Sequence, residues 1–186
     1  MSVSLSKGGN VSLTKAAPGL TSVVVGLGWD LRTTTGADFD LDSSALLLDA
    51  GGKVPTDQHF VFFNNLKSPD GSVEHLGDNT TGSGEGDDET ITVDLAQVHR
   101  QIDTIFLLVT SYQGQSLEWV ANAYCRVVDE QDTELARITL TLGVPETGVV
   151  MARIARDGDG WRLRAVAEGI AVKLPTESGL KLKRFL

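Results

Sequence analysis

The sequence predicts a mainly β fold, an antiparallel β-sandwich with one or two short helices. Two observations carry this. Apolar and polar residues alternate with a period of two in one short run after another, and turn signals rich in Gly, Pro, Asn and Asp separate the runs. A third observation supports it: a single stretch has helical character, and many short strands with few helices make a sandwich the natural architecture.

The elements follow in chain order. Val3 and Leu5, then Val11 and Leu13, alternate about the turn Gly8-Gly9-Asn10 and predict a short strand pair. Residues 22–29 read as a strand, 32–37 as a loop and 38–48 as the next strand, closed by the hairpin turn Asp49-Ala50-Gly51-Gly52. Residues 59–64 form a strand, and Ser68-Pro69-Asp70-Gly71 sets Pro and Gly where a β-turn favours them. Residues 73–76 lead into a glycine-rich acidic segment and 89–93 lead out of it. Asp94 can cap an amphipathic helix over 95–101. The apolar run 104–110, then 121–128, 135–141, 149–156 and 161–167, complete the strands. The last two are joined by Asp157-Gly158-Asp159-Gly160, read as a tight turn.

A chain of 186 residues, 41% hydrophobic and 22% charged, is long enough for one well-cored domain. Residues 1–168 carry the sandwich pattern. Residues 169–186 form a divergent basic tail, with Lys173, Lys181, Lys183 and Arg184 against Glu177, and Pro175 and Gly179 interrupting any helix. It is expected as a covering strand packed on the domain or as a flexible end beside it. The formal net charge of −9 argues against a nucleic-acid binder, whose affinity rests on Lys and Arg. Cys125 is a single cysteine and can form no internal disulfide; no apolar run has the length of a signal peptide or approaches the ~20 residues of a membrane span. The expectation is a soluble cytoplasmic protein.

Two acidic nests dominate the chemistry. In an extended Asp38-Phe39-Asp40-Leu41-Asp42 the three carboxylates fall ~7 Å apart on one face, where a pair of unit charges repels by roughly 2 kcal/mol at an effective dielectric of ~20. The second nest, Gly77 to Glu89, lies within a span, 68–99, that contains no Lys or Arg. Its glycines let the backbone fold back and aim carbonyls and carboxylates at one centre. Oxygen-only donors in a flexible loop suit Ca²⁺, which takes six to eight such ligands at ~2.4 Å. A solvated strand face and a simply disordered loop are the bland readings of the two nests.

Other motifs fail. Asp38, Asp40, Asp42 and Asp49 match positions of a helix-loop-helix calcium loop, but Ser43 stands where the tight turn needs Gly. The segment after Gly77 lacks the Lys of a phosphate loop, and Gly26-Leu27-Gly28 lacks the third Gly of the dinucleotide fingerprint. His59, His75 and His99 are scattered and read as surface or strand residues, Cys125 as a buried inert thiol, and Trp29, Trp119 and Trp161 as packing residues. No nucleophile elbow is present in the sequence.

The segments VSLSKGGNVSL at 3–13, VGLGWD at 25–30, GADFDLD at 36–42, FFNN at 62–65, SPDGSV at 68–73 and GDNTTGSGEGDDE at 77–89 resemble the TerD family of tellurium-resistance and stress-response proteins. The resemblance covers roughly residues 1–168. It implies a cytoplasmic, non-catalytic β-sandwich that binds Ca²⁺, here two ions, through the two acidic motifs. It implies metal ligands among Asp38, Asp40 and Asp42, and among Asp78, Asn79, Gly84, Gly86, Asp87, Asp88 and Glu89, the glycines through backbone oxygen. Asp30, Asn64 and Asn65 stand near enough in the family pattern to help as direct or outer ligands. Around Val109 to Ser116 the chain is shorter than usual for the family and has no His, and after Gly169 it lacks the usual small-residue ending.

The reading that follows is a Ca²⁺-binding module that orders its acidic loops for partners among other stress-response and tellurite-resistance proteins. The alternatives are a Ca²⁺-dependent binder of anionic membrane surfaces and a metal-dependent hydrolase with Asp87, Asp88 or Glu89 as base. The partners, the oligomeric state and direct binding of tellurite are left open by the residues.

Overall fold

Period-two alternation builds two six-stranded sheets that stack as a sandwich. The computed structural model describes residues 2–31, 40–77, 86–140, 143–172 and 178–186. In the first sheet the order is β1 (Val3–Leu5), β10 (Glu134–Leu140), β9 (Val120–Val128), β3 (Ser22–Leu31), β7 (Glu89–Asp94) and β6 (Val73–His75). In the second it is β2 (Asn10–Ser12), β12 (Gly160–Ile170), β11 (Gly148–Asp157), β8 (Ile102–Ser111), β4 (Leu41–Asp49) and β5 (Phe60–Val61). Neighbours are antiparallel except β1 and β10, which run parallel.

The core lies between the sheets. Val23, Val25, Leu27 and Trp29 of β3 and Ile91 and Val93 of β7 meet Leu41, Ala45 and Leu47 of β4 and Ile105, Leu107 and Val109 of β8. The alternate residues Leu46, Leu48, Phe106 and Leu108 form a second cluster on the far side of the second sheet. That side is covered by the C-terminal segment: a one-turn helix, Ser178–Lys181, runs into a 3₁₀ turn, Leu182–Phe185, whose Leu182 is fully buried and whose Phe185 ring lies 6.5 Å from Phe106. Burial on both faces explains why β4 and β8 are near-continuous apolar runs, each fully buried Leu, Ile or Phe contributing roughly 1.5–3 kcal/mol.

Several expectations are corrected. Residues 3–13 do not pair with each other: β1 joins the first sheet and β2 the second. The turn between them, with Gly8 at φ +84°, is anchored on β12 by Gly8 N–H to the Ala165 carbonyl and by Ala165 N–H to the Gly9 carbonyl. Leu13 then opens α1 (Leu13–Ala16) rather than extending β2. The helix expected at 95–101 is a capped turn. Asp94 Oδ1 does accept from Ala96 and Gln97 N–H, but Arg156 takes the carbonyls of Val98, His99 and Ile102, and Asp70 takes the His99 N–H, so no helical ladder continues. The strand expected at 59–64 ends after Val61 and turns back through the Phe62–Asn65 bridge. The tail forms helical turns despite Gly179. Trp29 and Trp161 are core residues, whereas Trp119 is exposed on a 3₁₀ turn. The Asp157-Gly158-Asp159-Gly160 segment is a two-residue hairpin turn as read, with Gly158 at φ +60°.

Candidate functional site

Glu89 opens β7 with its side chain on the inward face, in step with Ile91 and Val93. Its carboxylate is 2% exposed and is held across the sandwich by Ser43 of β4, whose backbone N–H donates to Oε2 at 2.6 Å. His75 of β6 reaches the same oxygen through Nε2 at 3.2 Å. His75 Nδ1 accepts from Gly77 N–H at 3.1 Å, which leaves Nε2 as the protonated nitrogen and the donor. Oε2 is therefore doubly satisfied and the carboxylate is locked. Oε1 is also buried, yet it has no hydrogen-bond partner among the described residues. An unmet carboxylate oxygen in such a place is costly unless something positive meets it.

Asp40 stands just before β4 and has a buried Oδ1 that is likewise unmatched among the described residues. Burial raises its pKa, and the Glu89 charge raises it further, so the two carboxylates feel each other. Asp88 accepts from Trp29 N–H at 2.8 Å and its own N–H donates to the Leu27 carbonyl. Its pKa is raised by burial, then by Glu89, Asp30 and Asp87 against the lowering effect of the Trp29 hydrogen bond. Carboxylates from both sheets thus gather at one end of the sandwich. Asp42 is buried, 3% exposed, and alternation along β4 sets it in step with Ser44, Leu46 and Leu48.

Asp87 has another task. Arg126 of β9 grips both its oxygens, Nε to Oδ1 at 2.8 Å and Nη2 to Oδ2 at 2.9 Å, and Tyr124 O–H donates to Oδ1 at 2.9 Å. Tyr124 O–H also reaches the Gly86 carbonyl at 2.8 Å. Burial and the hydrogen bond to Asp87 push the Tyr124 hydroxyl up to about 12. The clamp has a floor of two glycines on the outer face of β3. A Cβ at Gly26 would lie no farther than 2.6 Å from any atom of the Asp87 carboxylate, and one at Gly28 would lie 2.5 Å from the Tyr124 ring. The alternating Gly26-Leu27-Gly28-Trp29 therefore buries Leu27 and Trp29 inward and admits Asp87 and Tyr124 outward. The clamp fixes residues 86 and 87 directly before Asp88 and Glu89.

The remaining sequence candidates separate. Asp38, Asp78, Asn79 and Gly84 lie outside the described residues. Asp30 is exposed and accepts from Asn122 Nδ2 at 2.9 Å. Asn64 is exposed, and Asn65 uses its side-chain amide to hold its own loop, donating to the Gln58 and Phe60 carbonyls. Among the described residues, no three His, Cys, Asp or Glu side chains come together in a metal-holding group. They supply instead a pair of buried, hard oxygen donors, Glu89 Oε1 and Asp40 Oδ1, with Asp88 coupled to Glu89. A hard cation fits these donors, although its six to eight oxygens would have to come in part from beyond the described residues.

Sequence reasoning missed Ser43, His75, Tyr124 and Arg126. The signal for the last two was present, since alternating glycines in a strand mark a close approach; nothing marked His75 as buried. The Ser43, His75 and Glu89 grouping is not a nucleophilic relay. Ser43 Oγ at 3.1 Å and Glu89 share the one nitrogen Nε2, the other nitrogen is taken by Gly77, and all three side chains are buried. Among the described residues no helix is long and apolar enough to cross a membrane.

The fold has counterparts among known proteins. A family model described as the TerD domain matches residues 1–176. The chain belongs to the TerD family. It is 50% identical over 177 residues to tellurium resistance protein TerD of Serratia marcescens, covering 92% of each chain. It is 42% identical over 192 residues to general stress protein 16U of Bacillus subtilis, covering 98% of this chain and all of that one. Among solved structures, a homologue of telluride resistance protein (TerD) from Streptomyces coelicolor superposes with a TM-score of 0.68 at 25% identity, over 87% of this chain and 96% of that one. TerD-family membership thus joins a two-sheet β architecture to relatives named for tellurium resistance and general stress.

Proposed function

We propose that this TerD-family chain is a non-catalytic Ca²⁺-binding module of the tellurite-resistance and stress-response type. The observation that carries the reading is the locked Glu89 carboxylate, whose buried Oε1 has no hydrogen-bond partner among the described residues and lies within electrostatic reach of Asp40. Glu89, Asp40 and Asp88 would hold the ion, with Asp38, Asp42, Asp78, Asn79 and Gly84 as further candidates for one ion or two. Asp87 and the Gly86 carbonyl are left out of the donor set because Arg126 and Tyr124 occupy them. The bound ion would neutralise carboxylates that burial disfavours as anions, join the two sheets at their carboxylate-rich end, and order the acidic loops for partner proteins in the cytoplasm.

Linkage sets the scale. At free Ca²⁺ about 100 times the dissociation constant, the ion stabilises the fold by about 2.7 kcal/mol. The test is the melting temperature of chelator-stripped protein with Ca²⁺ and with Mg²⁺, in wild type and Glu89→Gln. The reading expects a rise with Ca²⁺, a smaller one with Mg²⁺, and loss of the Ca²⁺ effect in Glu89→Gln. An equal Ca²⁺ shift in Glu89→Gln would move the site elsewhere.

A further inference from the structure

For a chain with a net charge of −9, the far side of the second sheet carries an unexpected concentration of cations. Register puts Arg153 of β11 directly opposite Arg164 of β12, and Arg164 opposite Asn10 of β2. Like charges directly opposed on one face of an antiparallel pair are destabilising. Arg164 is exposed and makes no hydrogen bond or ion pair among the described residues. Arg153 is half-buried, and its Nε is fully buried without a hydrogen-bond partner among those residues. Its other nitrogens make only long contacts, to the Phe185 carbonyl at 3.5 Å and Thr104 Oγ1 at 3.4 Å. Burial holds the Arg153 guanidinium below its usual range, with Arg164 adding to the effect and Asp103 opposing it.

The neighbouring cations are provided for. Arg162 pairs with Asp157 at 2.5 Å and with Asn10 Oδ1 at 2.7 Å, and Arg156 stacks 4.5 Å from the Trp161 ring centroid while capping three carbonyls. An open groove of about 480 Å³ is lined by Arg153, Arg162 and Arg164, with Asp157 and Arg156 at its border. Across Arg164 a second hollow of about 340 Å³ is lined by Lys7, Glu168 and Arg184, where Glu168 pairs with Lys7 at 2.9 Å and reaches Arg184 at 3.5 Å. Arg153 and Arg164, on paired strands, both line the groove and have no carboxylate partner among the described residues, which leaves them for the phosphate oxygens that Arg recognises.

We propose that this groove is an anion site for a small phosphate-bearing molecule, seated between Arg153 and Arg164, with room across Arg164 for a second charged group of the same ligand. The ligand would relieve the opposed arginines by bringing negative charge between them. The groove lies on the sheet that does not carry Glu89, so it does not depend on the metal reading. A long polyanion is disfavoured by the overall negative charge.

The test is calorimetric titration of the full chain with pyrophosphate and with inorganic phosphate at low ionic strength. Saturable binding is expected, weakened about tenfold or more in Arg164→Ala and in Arg153→Met. Arg164 is exposed, so its variant should keep the wild-type melting temperature and thereby separate lost binding from lost folding. No saturable heat with either probe, or equal affinity in wild type and Arg164→Ala, overturns the proposal. Sedimentation with vesicles containing phosphatidic acid distinguishes a lipid head group from a free ligand: binding that pyrophosphate displaces and Arg164→Ala removes supports the groove. Vesicle binding indifferent to both, without binding of the free probes, contradicts it.

Discussion

Gly26→Ala is the substitution that most sharply tests how the acidic segment is held. The new methyl group would overlap the Asp87 carboxylate, lying within 2.6 Å of all its atoms, and the carboxylate would have to leave the Arg126 fork and the Tyr124 hydroxyl. The Arg126 and Asp87 side chains are 30% and 12% exposed, so the pair is worth more than a surface ion pair. Charge-assisted hydrogen bonds of this kind contribute about 1.5–3 kcal/mol, against which replacing a strand glycine recovers about 0.5–1 kcal/mol. The net expectation is a loss of about 0.5–2.5 kcal/mol, or roughly 1–10 °C in melting temperature for a domain of this size. Urea denaturation of wild type, Gly26→Ala, Asp87→Ala and the double variant is the assay. Because the glycine matters only through Asp87, Gly26→Ala should cost nothing further in the Asp87→Ala background. An equal loss in both backgrounds, or a single-variant change under about 0.5 kcal/mol, would refute the clamp.

Three further outcomes follow from the packing. Asp70 accepts from Ser68, from Ser72 and from His99 N–H, and these bonds, against the opposing effect of burial, hold its carboxyl at about 2 rather than 3.8. Its stabilisation is thus complete above pH ~4 and lost as pH falls through about 2; with the side chain half-buried and partly screened by solvent it amounts to about 1 kcal/mol, so Asp70→Asn should lower stability at pH 7 by that much and flatten the acid limb of a pH-stability curve. Cys125 is 1% exposed and burial pushes its thiol up to about 12, so Ellman's reagent should label it only as fast as the protein unfolds; rapid labelling of native protein would contradict its position in the core. Leu182→Ala should cost about 2–4 kcal/mol in chemical denaturation if the C-terminal turn is an integral cover of the second sheet, and under 1 kcal/mol if it is a loose appendage.

The strands were legible because alternation is a local signal: β3, β4, β8, β11 and β12 each declare one buried face, or two, in consecutive residues. What could not be read was anything decided far along the chain. The helix expected after Asp94 fails because Arg156, more than fifty residues away, caps its carbonyls. The pair expected between β1 and β2 fails because β10 and β12 offer each of them a longer partner. In the acidic segments, composition could group the carboxylates but not sort them. Asp87 and Asp88 are adjacent and chemically identical, yet strand alternation and the Gly26 floor turn Asp87 to Arg126 while Asp88 binds Trp29 N–H. His75 carried no sequence signal at all, since its role depends on β4 crossing over β7 from the other sheet.

The proposed hard-cation site has Glu89 and Asp40 as the donors among the described residues. Calorimetric titration of chelator-stripped protein with Ca²⁺ and then Mg²⁺, in wild type, Asp40→Ala, Glu89→Gln and Asp87→Asn, tests it most directly. Saturable Ca²⁺ binding, weak Mg²⁺ binding, loss of at least one binding event in Asp40→Ala and in Glu89→Gln, and retained though weakened binding in Asp87→Asn are the expected outcomes. Absence of Ca²⁺ heat in the folded wild-type protein, or undiminished binding in Glu89→Gln, would contradict it.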